Sequence, residues 1–325
     1  MQRDANRKYG FSADKTLKLA QTLYERHKAL TYPRTDSRHL PQEMRAELPA
    51  ALSSLESFSS HPPFSEGALR TARSRLNEKR ERVFDDAKVG DHHALLPTAN
   101  ALRGAGVDET RIYALVANRL LAVFQDDLVT AVTDVSLRLE GTSHLFYARG
   151  RVVLDAGWTR VDAPAEGAQG PRAEEVLPKL TKGEALRLVK LLSKQEATRP
   201  PKRYSESDLL GLMENAGNKL TAEGKEILKG RGIGTPATRA SILSTLQRRE
   251  YARAEGRTLA PTEKGMLLID LLPSEALKSP EMTAQWELQL AGIELDKSKA
   301  GAFSRDLNAF IVELVRALGG GSRHV

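Results

Sequence analysis

Three features of the sequence predict an α+β fold that is mainly helical. Apolar residues recur at helical spacing over most of the chain, as in Ile112, Leu115, Val116, Leu120, Val123 and Phe124. One region breaks that period: Val135, Leu137 and Leu139 alternate with Ser136, Arg138 and Glu140, the mark of a strand in an antiparallel hairpin. From Arg199 onward the chain reads as helix, helix and short hairpin, the order of a winged-helix unit. At 325 residues there is room for two or three compact units with cores of their own.

Taken in order, Met1 to Asn6 is expected to enter structure abruptly, with no capping residue. Ser12 reads as an N-cap with Asp14 in the first turn, and Leu17, Ala20, Leu23 and Tyr24 share one face, so a helix ends near Arg26. Gln42 to Leu55 is predicted as a second helix, Ser57 to Glu66 as a loop, and Gly67 to Lys79 as a third, strongly charged helix. Thr110 to Asp126 carries the clearest amphipathic pattern. The alternating run turns at Gly141-Thr142-Ser143 and returns over Phe146 to Leu154, with a neighbouring strand expected around Trp158 to Val161. Ala163 to Arg172 has the composition of a linker. Ser205-Glu206-Ser207-Asp208 is a capping box ahead of Leu209, Leu210, Leu212 and Met213. Arg248 to Tyr251 and Arg257 to Thr262 flank Gly256 as two short strands. Met282, Trp286, Leu290 and Ile293, then Phe303, Leu307, Phe310, Ile311, Leu314 and Leu318, predict two closing helices. Gly319-Gly320-Gly321-Ser322 reads as a flexible tail.

Composition narrows the function. The net charge of +7 suits a polyanionic partner, and equally a mildly basic protein. The absence of cysteine excludes disulfides, thiolate zinc sites and cysteine nucleophiles. No apolar run approaches the ~18 residues of a membrane span, and the polar start is not a secretory signal, so a cytoplasmic location and no membrane partner are expected. Aromatic residues make up only 5%, which favours contacts to phosphates over base stacking.

Three stretches carry candidate chemistry. In Thr31-Tyr32-Pro33-Arg34-Thr35-Asp36-Ser37-Arg38, a tyrosine precedes a stiffening proline and an arginine. A phenol is a weak nucleophile at its free pKa near 10 and needs positive charge or a base beside it. Arg34 can supply that charge and can fork onto a phosphate. The same residues also suit a surface turn with a partly buried tyrosine. In Asp91-His92-His93-Ala94-Leu95-Leu96-Pro97-Thr98, adjacent histidines face opposite ways and are poor joint ligands for one metal. One could donate to a phosphate or shuttle a proton, or both could lie solvated in a loop. In Arg231-Gly232-Ile233-Gly234-Thr235-Pro236-Ala237-Thr238-Arg239, a glycine turn leads to an N-cap threonine and a proline at the first helical position. That is a phosphate seat or a plain helix start, and it is not a Walker loop.

Together these stretches resemble the type IA DNA topoisomerases, most closely bacterial topoisomerase III, from Leu17 to about Val315. Thr31 to Ser37 resembles the family's active-site tyrosine motif, Asp91 to Thr98 its histidine motif, and Gly232 to Arg239 its loop in the fourth domain. Met282-Thr283-Ala284-Gln285-Trp286-Glu287 is similar to the helix near its end. The resemblance implies transesterification on single-stranded DNA through a 5′-phosphotyrosine, followed by strand passage and rejoining. It implies that Tyr32 is the nucleophile, that Arg34 stabilises phosphate charge, and that His92 hydrogen-bonds the scissile phosphate. It also implies that Thr35, Ser37, Arg38, Arg231, Thr235, Thr238 and Arg239 hold the DNA. The implied organisation is a lead-in segment with a helix of the arch domain over 1–28, a helical tyrosine domain over 29–127 and β-strand arch return over 128–198. A helical DNA-binding domain with the winged-helix-like part would cover 199–318, and a tail 319–325.

The family's Toprim domain, which binds Mg²⁺ through an acidic triad, has no counterpart in these residues. Asp85-Asp86 and Asp126-Asp127 read as solvated charges, so no metal ligand is expected here. The resemblance therefore implies a C-terminal portion whose cleavage is impaired without a Toprim-containing chain. Two other readings stay open: a single-stranded DNA-binding accessory protein without catalysis, and one half of a split topoisomerase.

Overall fold

In a computed structural model, described over residues 1–58, 66–79, 81–163, 176–216 and 232–320, the chain begins with a helix that periodicity did not signal. This helix, α1 (Gln2–Tyr9), lacks a side-chain cap and ends at Gly10, whose left-handed φ of 69° turns the chain into α2 (Ala13–Glu25). Ser12 caps α2 as expected, its side chain accepting from the Lys15 N–H. The predicted second helix is broken. A 3-10 turn over Gln42–Ala46 gives way to α3 (Leu48–Ser54), because Pro49 has no N–H to continue a single helix. Most of the predicted loop from Ser57 to Glu66 lies outside the described residues. Helix α4 (Glu66–Ser74) ends before Lys79, and α5 (Val107–Ala122) starts and stops a turn earlier than the pattern suggested.

The first core gathers on α5, whose Ile112, Tyr113 and Leu121 are fully buried with Leu23, Leu30, Leu52, Phe84 and Phe124. Fully burying each such side chain contributes about 1.5–3 kcal/mol. Strands β1 (Val129–Arg138) and β2 (Leu145–Asp155) form the predicted hairpin, antiparallel from Arg138 opposite Leu145 to Val129 opposite Asp155. The strand expected around Trp158 to Val161 is instead a 3-10 turn over Gly157–Arg160. Gly157 has φ 46°, and a Cβ there would stand 2.4 Å from the Asp127 carbonyl oxygen, so the chain turns against the end of the α5 segment. The turn delivers buried Asp162 between Lys8, at 3.2 Å, and Arg119, at 2.7 Å. Nearly all of the linker stretch from Ala163 to Arg172 lies outside the described residues, and 176–204 carries no helix or paired strand.

The capping box forms as read: Ser205 and Asp208 bond reciprocally at the start of α6 (Glu206–Glu214). Next come α7 (Pro236–Arg248) and the wing, β3 (Ala252–Glu255) paired with β4 (Thr258–Pro261). Helices α8 (Glu263–Leu271), α9 (Glu275–Lys278), α10 (Pro280–Leu295) and α11 (Ala300–Gly320) follow. Trp286 meets Phe310 edge-on at 5.6 Å, joining the two closing helices. Gly319 and Gly320 finish α11 rather than starting a tail, whose remaining residues lie outside the described set.

Helix α2 serves two cores. Ala20 and Leu23 enter the first, while Ala13 and Leu17 join Leu210 of α6 and Ala240 and Leu243 of α7 in a second. Further bonds stitch the winged unit to α1. Ser207 N–H donates to Asn6 Oδ1 at 3.1 Å, and Arg257 at the wing's tip donates to the Asn6 and Arg7 carbonyls at 3.1 and 2.8 Å. The tyrosine-bearing and glycine-loop segments thus face one another across helices α1 and α2.

Candidate active site

The approach to Tyr32 is set where α2 ends. Lys28 adopts φ 54°, rare for a side chain larger than glycine. Its carbonyl accepts from Thr98 Oγ1 at 2.6 Å and Asn100 Nδ2 at 3.0 Å, which hold that turn in place. Ala29 and Leu30 then bury and pair with the histidine motif. Thr31 N–H donates to the Leu96 carbonyl at 2.8 Å, Leu96 N–H to Thr31 Oγ1 at 2.9 Å, and Thr98 N–H to the Ala29 carbonyl at 3.0 Å. Leu40, buried at the other end, bridges to Phe84. Two motifs about 60 residues apart in sequence are therefore held side by side by backbone hydrogen bonds.

Tyr32 is half-buried, its ring flanked on two sides. His92 lies at 4.6 Å between ring centroids with a 51° tilt, and Tyr24 of α2 meets it edge-on at 5.5 Å and 75°. Such contacts restrict the ring while leaving the chain free to present its hydroxyl. Arg34, exposed two residues on, makes no ion pair or hydrogen bond with the described residues. His93 is occupied locally, its Nδ1 2.8 Å from the Ala94 carbonyl, so the pair is split into one ring at the tyrosine and one serving the backbone.

The other anticipated residues fall into two groups. Thr35 and Ser37 build the loop: Thr35 Oγ1 donates to the His92 carbonyl at 3.1 Å, and Ser37 Oγ lies 3.2 Å from the His39 and Lys88 carbonyls. Thr235 and Thr238 close a reciprocal cap on α7, Thr235 N–H donating to Thr238 Oγ1 at 2.7 Å. Arg239 is turned inward, donating to the Ile233 and Gly234 carbonyls at 2.9 Å each, and its burial pushes the guanidinium's pKa down. Gly232 packs against the end of α6, where Ile233 N–H donates to the Met213 carbonyl at 2.9 Å. Arg231 lies outside the described residues. Arg38 leaves the tyrosine loop to pair with Glu214.

A cavity of about 580 Å³ opens beneath the tyrosine loop, lined by Pro33, Asp36 and Arg38 on one side and by Arg3, Arg119 and Arg239 on others. Tyr24, Asn100, Arg3 and Glu214 were not singled out by residue pattern as parts of this region, whereas Thr98 closes the histidine motif. Tyr24 could have been read only as one apolar position of α2, and Asn100, Arg3 and Glu214 carry no local signal. Among the described residues no three His, Asp or Glu side chains converge to hold a metal ion, and no helix is long and apolar enough to cross a membrane.

Comparison with known proteins bears on the whole chain. Residues 1–305 match the family described as DNA topoisomerase. DNA topoisomerase 3 of Bacillus licheniformis is 36% identical over 325 residues, covering 98% of this chain and 44% of that protein. DNA topoisomerase 3 of Bacillus subtilis is 35% identical over 326 residues, with the same shares. The chain thus spans less than half the length of these relatives. The full-length topoisomerase I of Thermotoga maritima superposes with a TM-score of 0.62 over 95% of this chain and 48% of that one. At 24% identity that match speaks to the fold.

Proposed function

The chain belongs to the DNA topoisomerase family, as a type IA, topoisomerase III-like member, and from that premise we propose that it carries the nucleophile-bearing part of a single-strand DNA cleaving and rejoining enzyme. Tyr32 Oη attacks a backbone phosphorus and gives up its proton, and a P–O bond to the phenol forms as the bond to the 3′ oxygen breaks. That oxygen takes up a proton to leave as a hydroxyl, and the downstream strand is held as a 5′-phosphotyrosine. One phosphodiester replaces another, so the 3′ hydroxyl can reverse the step without an external energy source. A second strand passes while the break is open.

The observation that carries this reading is the pairing of Thr31 with Leu96, which sets Tyr32 and His92 ring to ring. Arg34, without a protein partner among the described residues, is suited to charge developing on the phosphate. His92 is suited to a phosphate oxygen. Single-stranded DNA is the proposed partner, its backbone crossing Thr35, Ser37 and Arg38 toward the α7 segment with Thr235, Thr238 and Arg239. The divalent cation of the family reaction would be held by residues other than these, in a Toprim-containing portion or chain.

The test uses single-stranded oligonucleotides labelled at either end, incubated with the chain and Mg²⁺, with and without a Toprim-containing half. A 5′-phosphotyrosine retains the 3′ label on the protein, and Tyr32→Phe removes it. Tight DNA binding with no adduct even in the complemented reaction would refute the catalytic reading in favour of a binding protein.

A further inference from the structure

Glu214 ends α6 with its carboxylate shared between two arginines from different parts of the chain. Arg38 of the tyrosine loop donates through Nη2 to Oε1, and Arg3 of α1 approaches Oε2 through Nη1 at 3.3 Å. Arg239 lies alongside, its charge favoured by Glu214 and Asp36 and opposed by Arg38. All four side chains line the cavity beneath the tyrosine loop. Arg3 packs against α6 at Gly211, where a Cβ would stand 3.0 Å from Arg3 Nη2. Its Nε is buried with no hydrogen-bond partner, so its donor fork is only partly used.

A carboxylate in the last turn of a helix faces the negative end of the helix dipole, so the arginines, rather than the helix, favour Glu214 here. Two oxygens of one anion, each taken by a different guanidinium, is also how the two non-bridging oxygens of a phosphodiester are bound. We propose that Glu214 occupies the seat of a DNA backbone phosphate in the DNA-free chain, that Arg3 and Arg38 are the ligands of that phosphate, and that strand binding displaces the carboxylate. The inference rests on the single-stranded DNA reading above and adds to it a phosphate site, the residue Arg3 and an internal competitor. Displacement costs little because the Arg38 side chain is 76% exposed, and an ion pair with one exposed partner is weak in water. Once displaced, Glu214 would repel neighbouring phosphates.

The full chain is titrated with a fluorescein-labelled single-stranded oligonucleotide and followed by anisotropy. Glu214→Gln keeps the shape of the side chain and removes the competing charge. It is expected to bind about three- to fivefold more tightly at low salt, with the difference shrinking as salt screens the charges. Arg3→Gln and Arg38→Gln are expected to weaken binding, and Arg38→Gln to cost more in the Glu214→Gln background, where no carboxylate competes for it. Binding by the wild type with no gain in a folded Glu214→Gln variant overturns the proposal. Absence of binding by the wild type and all variants overturns the single-stranded DNA reading and the proposal with it, and is told apart by that uniformity. Should Glu214→Gln fail to fold, Arg3→Gln decides: weaker binding supports the seat, unchanged binding overturns it.

Discussion

Gly232→Ala isolates the contact that fixes the glycine loop to α6. A Cβ at this position would lie 1.9 Å from the Met213 carbonyl oxygen and 2.7 Å from that of Glu214. Ordinary non-bonded carbon contacts sit near about 3.5 Å, so the loop must retreat by more than about 1 Å from a backbone that cannot bend away. That retreat breaks the Ile233 N–H bond to Met213, now 2.9 Å, and strains the Arg239 bonds that grip Ile233 and Gly234. Overpacking costs about 1–3 kcal/mol and the hydrogen bond about 1 kcal/mol, together about 2–4 kcal/mol. At an unfolding entropy of about 2.1 cal/mol/K per residue, a chain of 325 residues loses about 3–6 °C in Tm for that cost. Differential scanning calorimetry reads it, with hydrogen exchange at Ile233 and along α7 to localise it. Gly319→Ala is the control, since a Cβ there meets nothing within 4 Å and alanine favours the helix. Equal stability of Gly232→Ala and wild type would refute the close approach, and with it the account of how the loop is seated.

Other expected outcomes probe the remaining parts of the site. Tyr24→Ala removes the ring edge against Tyr32 and should lower adduct formation in the complemented reaction about two- to tenfold, while Tyr24→Phe keeps it; a similar loss in both would assign the effect to the hydroxyl. Asp162→Ala leaves Lys8 and Arg119 without their shared, buried carboxylate; because both cations can reach water, the cost in chemical denaturation should be about 1–2 kcal/mol, a value near zero being the contrary result. Asp208 is held below the ordinary carboxylate value of 3.8 by the Ser205 hydroxyl and then by the Ser205 N–H. Its lowered folded-state pKa means that the cap contributes fully above the unfolded value and is lost as pH falls through the folded one. Helicity followed by circular dichroism below pH 4 should therefore decline less steeply in Asp208→Asn; an unchanged acid limb would count against the cap's role.

Local chemistry made much of this protein legible in its residues. Ser12, Ser205 and Thr235 cap helices because their oxygens satisfy amide groups within three residues, an interaction fixed by sequence distance alone. Alternation over 135–139 and Phe146–Leu154 identified the hairpin for the same reason, and the tyrosine, histidine and glycine motifs could be named from composition and order. Where a local rule met a longer-range contact, the local rule lost. Trp158 has strand-forming character, yet its N–H is taken by the Asp126 carbonyl at 2.9 Å and the segment becomes a turn. Helix α1 offers only Met1, Ala5 and Tyr9 as its apolar stripe, too short a run to be read as a helix from sequence, and its place is also fixed by Ser207 and Arg257, some 200 and 250 residues away. The sequence by itself determined which residues could act as nucleophile and cation near Tyr32. The family resemblance already picked out His92; only the tertiary structure decided that its ring lies against Tyr32, that Arg239 turns inward, and that Arg38 meets Glu214. Arg239 turns inward because the glycine turn aims the Ile233 and Gly234 carbonyls at it. The contacts of Tyr32 with His92 and of Arg38 with Glu214 depend on pairings between segments far apart in the chain, which no local period or spacing encodes.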